Sequence, residues 1–153
     1  MKMLEAIHRA LRNEVVEGLR LEIPPPVARL LGIEVVGIEE GKSTFRIQAR
    51  RDTHANPMGT LHGGILCDLA DAAMGMACAS LLDLGESFTT VELKINYFRP
   101  VVEGLLEARA RVVHAGKTTV YLECDVVALP QEKLVAKAGS TCMVLRGEQA
   151  KGR

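Results

Sequence analysis

His54-Ala55-Asn56-Pro57-Met58-Gly59-Thr60-Leu61-His62-Gly63-Gly64-Ile65-Leu66-Cys67-Asp68-Leu69-Ala70-Asp71 is the stretch whose pattern decides the fold of this chain. A polar loop leads into two glycines and then into an apolar, small-residue run reaching Leu82. Leu66, Leu69, Ala70, Ala73, Met74, Ala77 and Leu81 recur at three- and four-residue spacing, the period of one helix face. Ala72, Gly75, Ala79 and Ser80 are small enough for another element to come close. The spacing predicts one helix from Gly63 to Leu82, stopped by Asp83 to Gly85. Such a helix belongs in a core, yet it carries Asp68 and Asp71. A buried carboxylate without a partner is costly, so each must be paired, hydrated or functional.

Downstream the period changes to two. Val91, Leu93, Ile95 and Tyr97 alternate with Thr90, Glu92, Lys94 and Asn96. Leu106 to Val112 and Thr118 to Val126 alternate in the same way, and a last strand runs from Lys133 to Leu145. The turns between them are Arg99–Gly104, His114–Lys117 and Leu129–Glu132. Upstream, Ile33–Ile38 and Ser43–Ala49 read as strands joined by a turn at Glu39–Lys42. Pro24-Pro25-Pro26 opens a short helix over Val27–Leu31, which Gly32 stops. Leu4, Ile7, Leu11, Val15 and Leu19 predict an amphipathic docking helix at the N-terminus. The residues after Arg146 are polar and are expected to fray. The fold class is therefore α+β, an antiparallel sheet wrapped around one long central helix. The expected division is an N-terminal helical extension over 1–22, the α+β domain over 23–147 and a polar tail over 148–153.

Composition narrows the function. At 153 residues one domain is expected, large enough for a core without disulfides. The formal net charge is zero, which argues against nucleic acid and anionic membrane surfaces as partners. Aromatic residues are 3% of the chain and Trp is absent, so base stacking is not expected. Cys67, Cys78, Cys124 and Cys142 form no C-x-x-C pair and no zinc spacing, and they read as buried thiols in a reducing cytoplasm. No targeting segment or membrane-spanning run is visible, and neither a metal nor a cofactor is expected.

Gly63 falls in the first turn of the long helix, where its N–H has no intrahelical partner and the dipole favours negative charge. That is an oxyanion donor, unless His62-Gly63-Gly64 is only a turn into the helix. A glycine there also lets substrate approach without a Cβ. Asp71 can serve as a partly buried base or nucleophile, with Asp68 one turn earlier as its rival. Asn56 before Pro57 suits an Asx-turn. Thr90 falls on the polar side of its alternation. His54 and His62 lack the nucleophile elbow of a serine hydrolase, and His62 is expected to brace the loop.

The element order and four motifs together carry a family resemblance. The motifs are Asn56-x-x-Gly59-x-x-His62-Gly63-Gly64 with Asp71, Pro25–Gly32, Thr90–Tyr97, and His114-Ala115-Gly116-Lys117. Over residues 25–146 the chain resembles the hotdog-fold acyl-CoA thioesterases of the phenylacetate-pathway and human thioesterase-superfamily-member type. The resemblance implies hydrolysis of acyl-CoA thioesters without a metal. It selects Asp71 as the acid, because the family's acid falls eight residues after the oxyanion glycine. It implies that Asn56 orients the water or carbonyl and that Thr90 assists the acid. Around these, His62, Gly64 and Met74 are expected to contact substrate, with Arg99, His114 and Lys117 toward the coenzyme A phosphates.

Gly63 and Asp71 lie about 12 Å apart along the helix axis, too far for one carbonyl to meet both. Two chains with antiparallel central helices would bring them together, so a homodimer sharing its sites is expected. The resemblance implies the same, with dimers pairing into a homotetramer. Met74, Leu66 and the helix alanines suit an aromatic or a medium aliphatic acyl group. Two other readings remain open at this point. One is a non-catalytic acyl-CoA binder. The other is a 3-hydroxyacyl thioester dehydratase using His54 or His62.

Overall fold

The computed structural model describes residues 1–152. Its helices are α1 (Met3–Leu11), α2 (Pro26–Leu31), α3 (Arg51–His54) and α4 (Gly63–Ala79). Its strands are β1 (Ile33–Glu39), β2 (Lys42–Ala49), β3 (Ser87–Tyr97), β4 (Gly104–Ala115), β5 (Thr119–Leu129) and β6 (Lys133–Leu145). All six strands join one antiparallel sheet in the order β1-β2-β4-β5-β6-β3. The first strand after the long helix thus crosses to the far side and becomes an edge.

α4 packs against all six strands. Leu66, Leu69, Ala70, Ala73, Met74 and Ala77 are buried under it, as the three-four spacing requires. The sheet answers with Phe45, Ile47, Leu106, Leu122, Cys124 and Val126, and with the alanines of β4 and β6 where the helix comes near. This is the hotdog arrangement anticipated from the sequence. Shortening a large member such as Leu69 or Leu122 to alanine costs about 2–5 kcal/mol. Among the described residues, no helix is long and apolar enough to cross a membrane.

Three features differ from the sequence reading. The N-terminal helix ends at Leu11, not Leu19, because Asn13 adopts φ 62°. Asn13 N–H then donates to Ala10 O at 2.9 Å and Glu14 N–H to Arg9 O at 3.0 Å, the paired bonds of a Schellman stop. Val15, which the periodicity puts on the docking face, is 92% exposed. What does dock is the first half: Met3, Ala6 and Ile7 are buried, and Met3 N–H meets Leu82 O at 2.9 Å beyond the end of α4. At the other terminus, the expected frayed tail begins as a 3-10 turn over Gly147–Ala150 with Ala150 buried. Arg153, the last residue of that tail, lies outside the described residues.

The third difference is a β-bulge in β3. Thr90 pairs with Cys142 and Glu92 with Thr141, so Val91 is an extra residue. Alternation changes phase there. Leu93 and Ile95 pack on the core after the bulge, while Phe88 and Thr90 do so before it. Thr90 therefore faces the helix, not the polar side, and Val91 is 54% exposed.

Candidate active site

The loop before α4 is held by its own side chains. Asn56 Oδ1 accepts from Met58 N–H at 2.9 Å and Thr60 N–H at 3.1 Å, and its Nδ2 donates to Thr60 Oγ1 at 2.8 Å. The Asx-turn is thus present, and one Nδ2 hydrogen is left over. His54 is buried, with Nδ1 accepting from Arg50 N–H and Nε2 donating to Leu31 O, each at 3.0 Å. Both ring nitrogens are therefore occupied by backbone, which removes His54 as a catalytic base. His62 caps the helix, its Nδ1 accepting from Gly64 N–H at 3.0 Å. This is the bracing role expected of it. The His62 carbonyl accepts from Ile65 N–H at 3.0 Å. Among the described residues, Gly63 N–H finds no acceptor.

From Gly63 a row of residues at four-residue spacing faces β3, which runs the opposite way. Tyr97 Oη donates to Gly63 O at 2.9 Å and lies 3.3 Å from Cys67 Sγ. Thr90 Oγ1 donates to Asp71 Oδ1 at 3.1 Å and sits 3.9 Å from Cys142 Sγ. Phe88 covers Gly75, its ring 3.1 Å from where a Cβ would stand. Gly63, Cys67, Asp71 and Gly75 thus form one seam with Tyr97, Thr90 and Phe88.

The seam tunes its acids. Asp71 is an exposed residue of the single chain, but its carboxylate lies against β3, and that partial burial raises its pKa. The Thr90 hydrogen bond works the other way, and the nearby Asp68 charge adds to the rise. Asp68 itself is exposed. The Tyr97 hydroxyl is pushed up to about 12, by burial first and by Cys67 second.

A cleft of about 410 Å³ opens beside Gly63, lined among others by Thr60, Leu61, Leu66, Tyr97, Phe98 and Arg99. Gly63, Gly64, His62, Asn56 and Arg99 therefore gather at the N-terminal end of α4. His114 and Lys117 lie at the opposite end of the sheet, near the start of β3, where Arg146 reaches both Glu86 and Lys117 O. Met74 is fully buried in the core and does not line this cleft. Among the described residues no three His, Cys, Asp or Glu side chains converge as metal ligands would.

The family model described as "Thioesterase superfamily" matches residues 58–135, which hold the double glycine, α4 and most of the sheet. The chain belongs to this superfamily. A 1,4-dihydroxy-2-naphthoyl-CoA hydrolase of Listeria monocytogenes is 31% identical over 114 residues, covering 74% of this thioesterase chain and 91% of that relative. The PaaI protein of the E. coli phenylacetic acid degradation operon superposes with a TM-score of 0.78 at 26% identity, covering 95% of each chain. A thioesterase from Haemophilus influenzae gives 0.73 at 25% identity, over 78% of this chain and 82% of that one. Together these support an enzyme that hydrolyses thioesters.

Cys67, Gly75, Phe88 and Tyr97 are the members of the thioesterase's seam that the sequence does not single out as site residues. Cys67 reads as one more buried thiol, yet it is half-buried beside Tyr97. The signal for Cys67 is the spacing Gly63, Cys67, Asp71, Gly75, a second helix face running beside the core stripe; Tyr97 carries no such signal.

Proposed function

We propose that this protein hydrolyses acyl-CoA thioesters to free acid and coenzyme A, as a cytoplasmic homodimer with shared sites that pairs into a homotetramer. One observation carries the reading. Gly63 N–H is unpaired at the start of α4, and two turns on the same helix bears a carboxylate of raised pKa held by Thr90. The two lie about 12 Å apart in one chain. A twofold mate with antiparallel α4 and β3 would set Gly63 of one chain beside Asp71 of the other. The exposed edge of β3, with Val91 and Tyr97 and with Phe98 just beyond it, suits such a mate.

Asp71 takes a proton from water as it attacks the thioester carbonyl. Attack by the carboxylate itself, followed by hydrolysis of the anhydride, uses the same groups. Gly63 N–H receives the negative charge on the carbonyl oxygen. Collapse of the tetrahedral intermediate breaks the C–S bond, and the departing thiolate takes up the proton. The free Nδ2 hydrogen of Asn56 orients the water or the carbonyl, and Thr90 holds the acid. His62 and Gly64 shape the helix start. Arg99 beside the cleft, with His114 and Lys117 of the mate, offers positive charge to the coenzyme A phosphates. The cleft's Leu61, Leu66 and Phe98 favour an aromatic or medium aliphatic acyl group, with Met74 behind them in the core.

The test uses a panel of benzoyl-, hexanoyl- and decanoyl-CoA with detection of released thiol. A Cβ at position 63 would stand 2.8 Å from Tyr97 Oη, so any substitution there disturbs the seam. Gly63→Ala keeps the N–H and Gly63→Pro removes it, while both carry the Cβ. The proline variant should turn over on the order of 10²–10³ times more slowly than the alanine variant. Equal kcat in the two folded variants removes the oxyanion role. Turnover of none of the panel by the wild-type protein refutes acyl-CoA hydrolysis.

A further inference from the structure

We propose that Tyr97 is a positioning residue for hydrolysis: its hydroxyl clamps the Gly63 carbonyl and so restrains the backbone rotation at Gly63 that helps to aim the Gly63 N–H. This rests on the reading of Gly63 as the oxyanion donor. The need for a clamp comes from the sequence. Gly63-Gly64 is the most mobile pair with which a helix can begin, because neither residue has a Cβ to restrict its backbone. An oxyanion donor works only if it is already fixed when charge develops.

The structure supplies the restraint from outside the loop. The peptide joining Gly63 and Gly64 is held at both ends, its carbonyl by Tyr97 Oη at 2.9 Å and its N–H by His62 Nδ1 at 3.0 Å. The preceding peptide is held by its carbonyl, which accepts from Ile65 N–H at 3.0 Å. Of these groups only Gly63 N–H is left free to meet a substrate. The direction of the Tyr97 bond is unambiguous, since a carbonyl only accepts. The hydroxyl can in turn accept from the Cys67 thiol at 3.3 Å. Its high pKa keeps it a donor throughout the neutral range.

Tyr97 also gives a second reason for the glycine. A Cβ at position 63 would stand 2.8 Å from Oη and 2.9 Å from Cζ. The missing side chain leaves room for the clamp. Position 63 and position 97, 34 residues apart, are thus a matched pair of shapes.

The test is Tyr97→Phe, which keeps the half-exposed ring and deletes the donor. With the best acyl-CoA of the panel, kcat should fall about tenfold, the scale of one lost hydrogen bond. KM should stay unchanged. Gly63→Ala already displaces the hydroxyl, so Gly63→Ala with Tyr97→Phe should be no slower than Gly63→Ala alone. A kcat within twofold of wild type, a rise in KM with kcat unchanged, or additive losses in the double variant each overturn the role of Tyr97. A Gly63→Pro variant as active as Gly63→Ala instead overturns the oxyanion reading beneath it.

Discussion

Asp71 illustrates how position alone prepares a side chain. Burial against β3 raises its pKa, Thr90 restrains the rise and Asp68 adds to it. If its carboxylate is the base, the acid limb of kcat/KM sits above the ordinary carboxylate range. Thr90→Val deletes a bond to the charged form, so the limb moves to higher pH. Asp68→Asn deletes a like charge, so the limb moves to lower pH, with little loss at the optimum. Asp71→Asn should cost roughly 10²–10⁴ in kcat. A pH–rate series on the three variants checks all of this, and limbs that stay put would separate Asp71 from the titration. Stability carries the opposite sign. A carboxyl whose pKa is raised by folding stabilises below its unfolded pKa and loses that contribution as pH rises through the folded one. Asp71→Asn should therefore melt above wild type at neutral pH, which calorimetry reads directly.

At the scale of elements, β3 is where the sequence and the fold diverge most. α4 and the strands were legible because an apolar stripe at three-four spacing, or alternation, marks them. Gly63 and Asp71 stand out as candidates because each is chemically out of place in an apolar run. The bulge at Val91 was not, since one inserted residue carries no chemical mark and simply shifts which residues face inward. Thr90 was therefore put on the wrong face. The N-terminal helix failed for a similar reason: its stripe continues past Asn13, but a left-handed residue ends the helix whatever the stripe says. Tyr97 was invisible as a clamp because its partner is a carbonyl 34 residues away. Deleting Val91 tests the bulge. Removing the extra residue sets Thr90 and Leu93 two positions apart, so plain alternation places both inward. Phe88, Thr90, Leu93 and Ile95 then share the helix-facing side without a bulge. The variant is expected to fold, by circular dichroism, with kcat near that of the wild-type protein. A folded deletion with kcat near that of Thr90→Val would show instead that the bulge itself aims Thr90.

At the scale of the molecule, α4 separates its two reactive ends by about 12 Å. An Asp71→Asn chain and an Asn56→Ala chain, co-expressed with different tags, should form a heterodimer that puts both defects in one site and leaves the other whole. It should show about half of the wild-type activity per dimer, with both parents nearly inactive, if the sites are independent. A heterodimer as inactive as its parents would place Asn56 and Asp71 in the same chain's site. If the site is shared as proposed, the same spacing makes catalysis a matter of mass action. A lone chain would then hold the proposed oxyanion donor with no acid in reach, and the proposed acid with no donor. Activity per chain should then fall on dilution as partners separate, and it should recover on concentration, without any chain unfolding. The number of working sites becomes a function of how much protein is present, so the association constant of the pair sets the lowest concentration at which this thioesterase works.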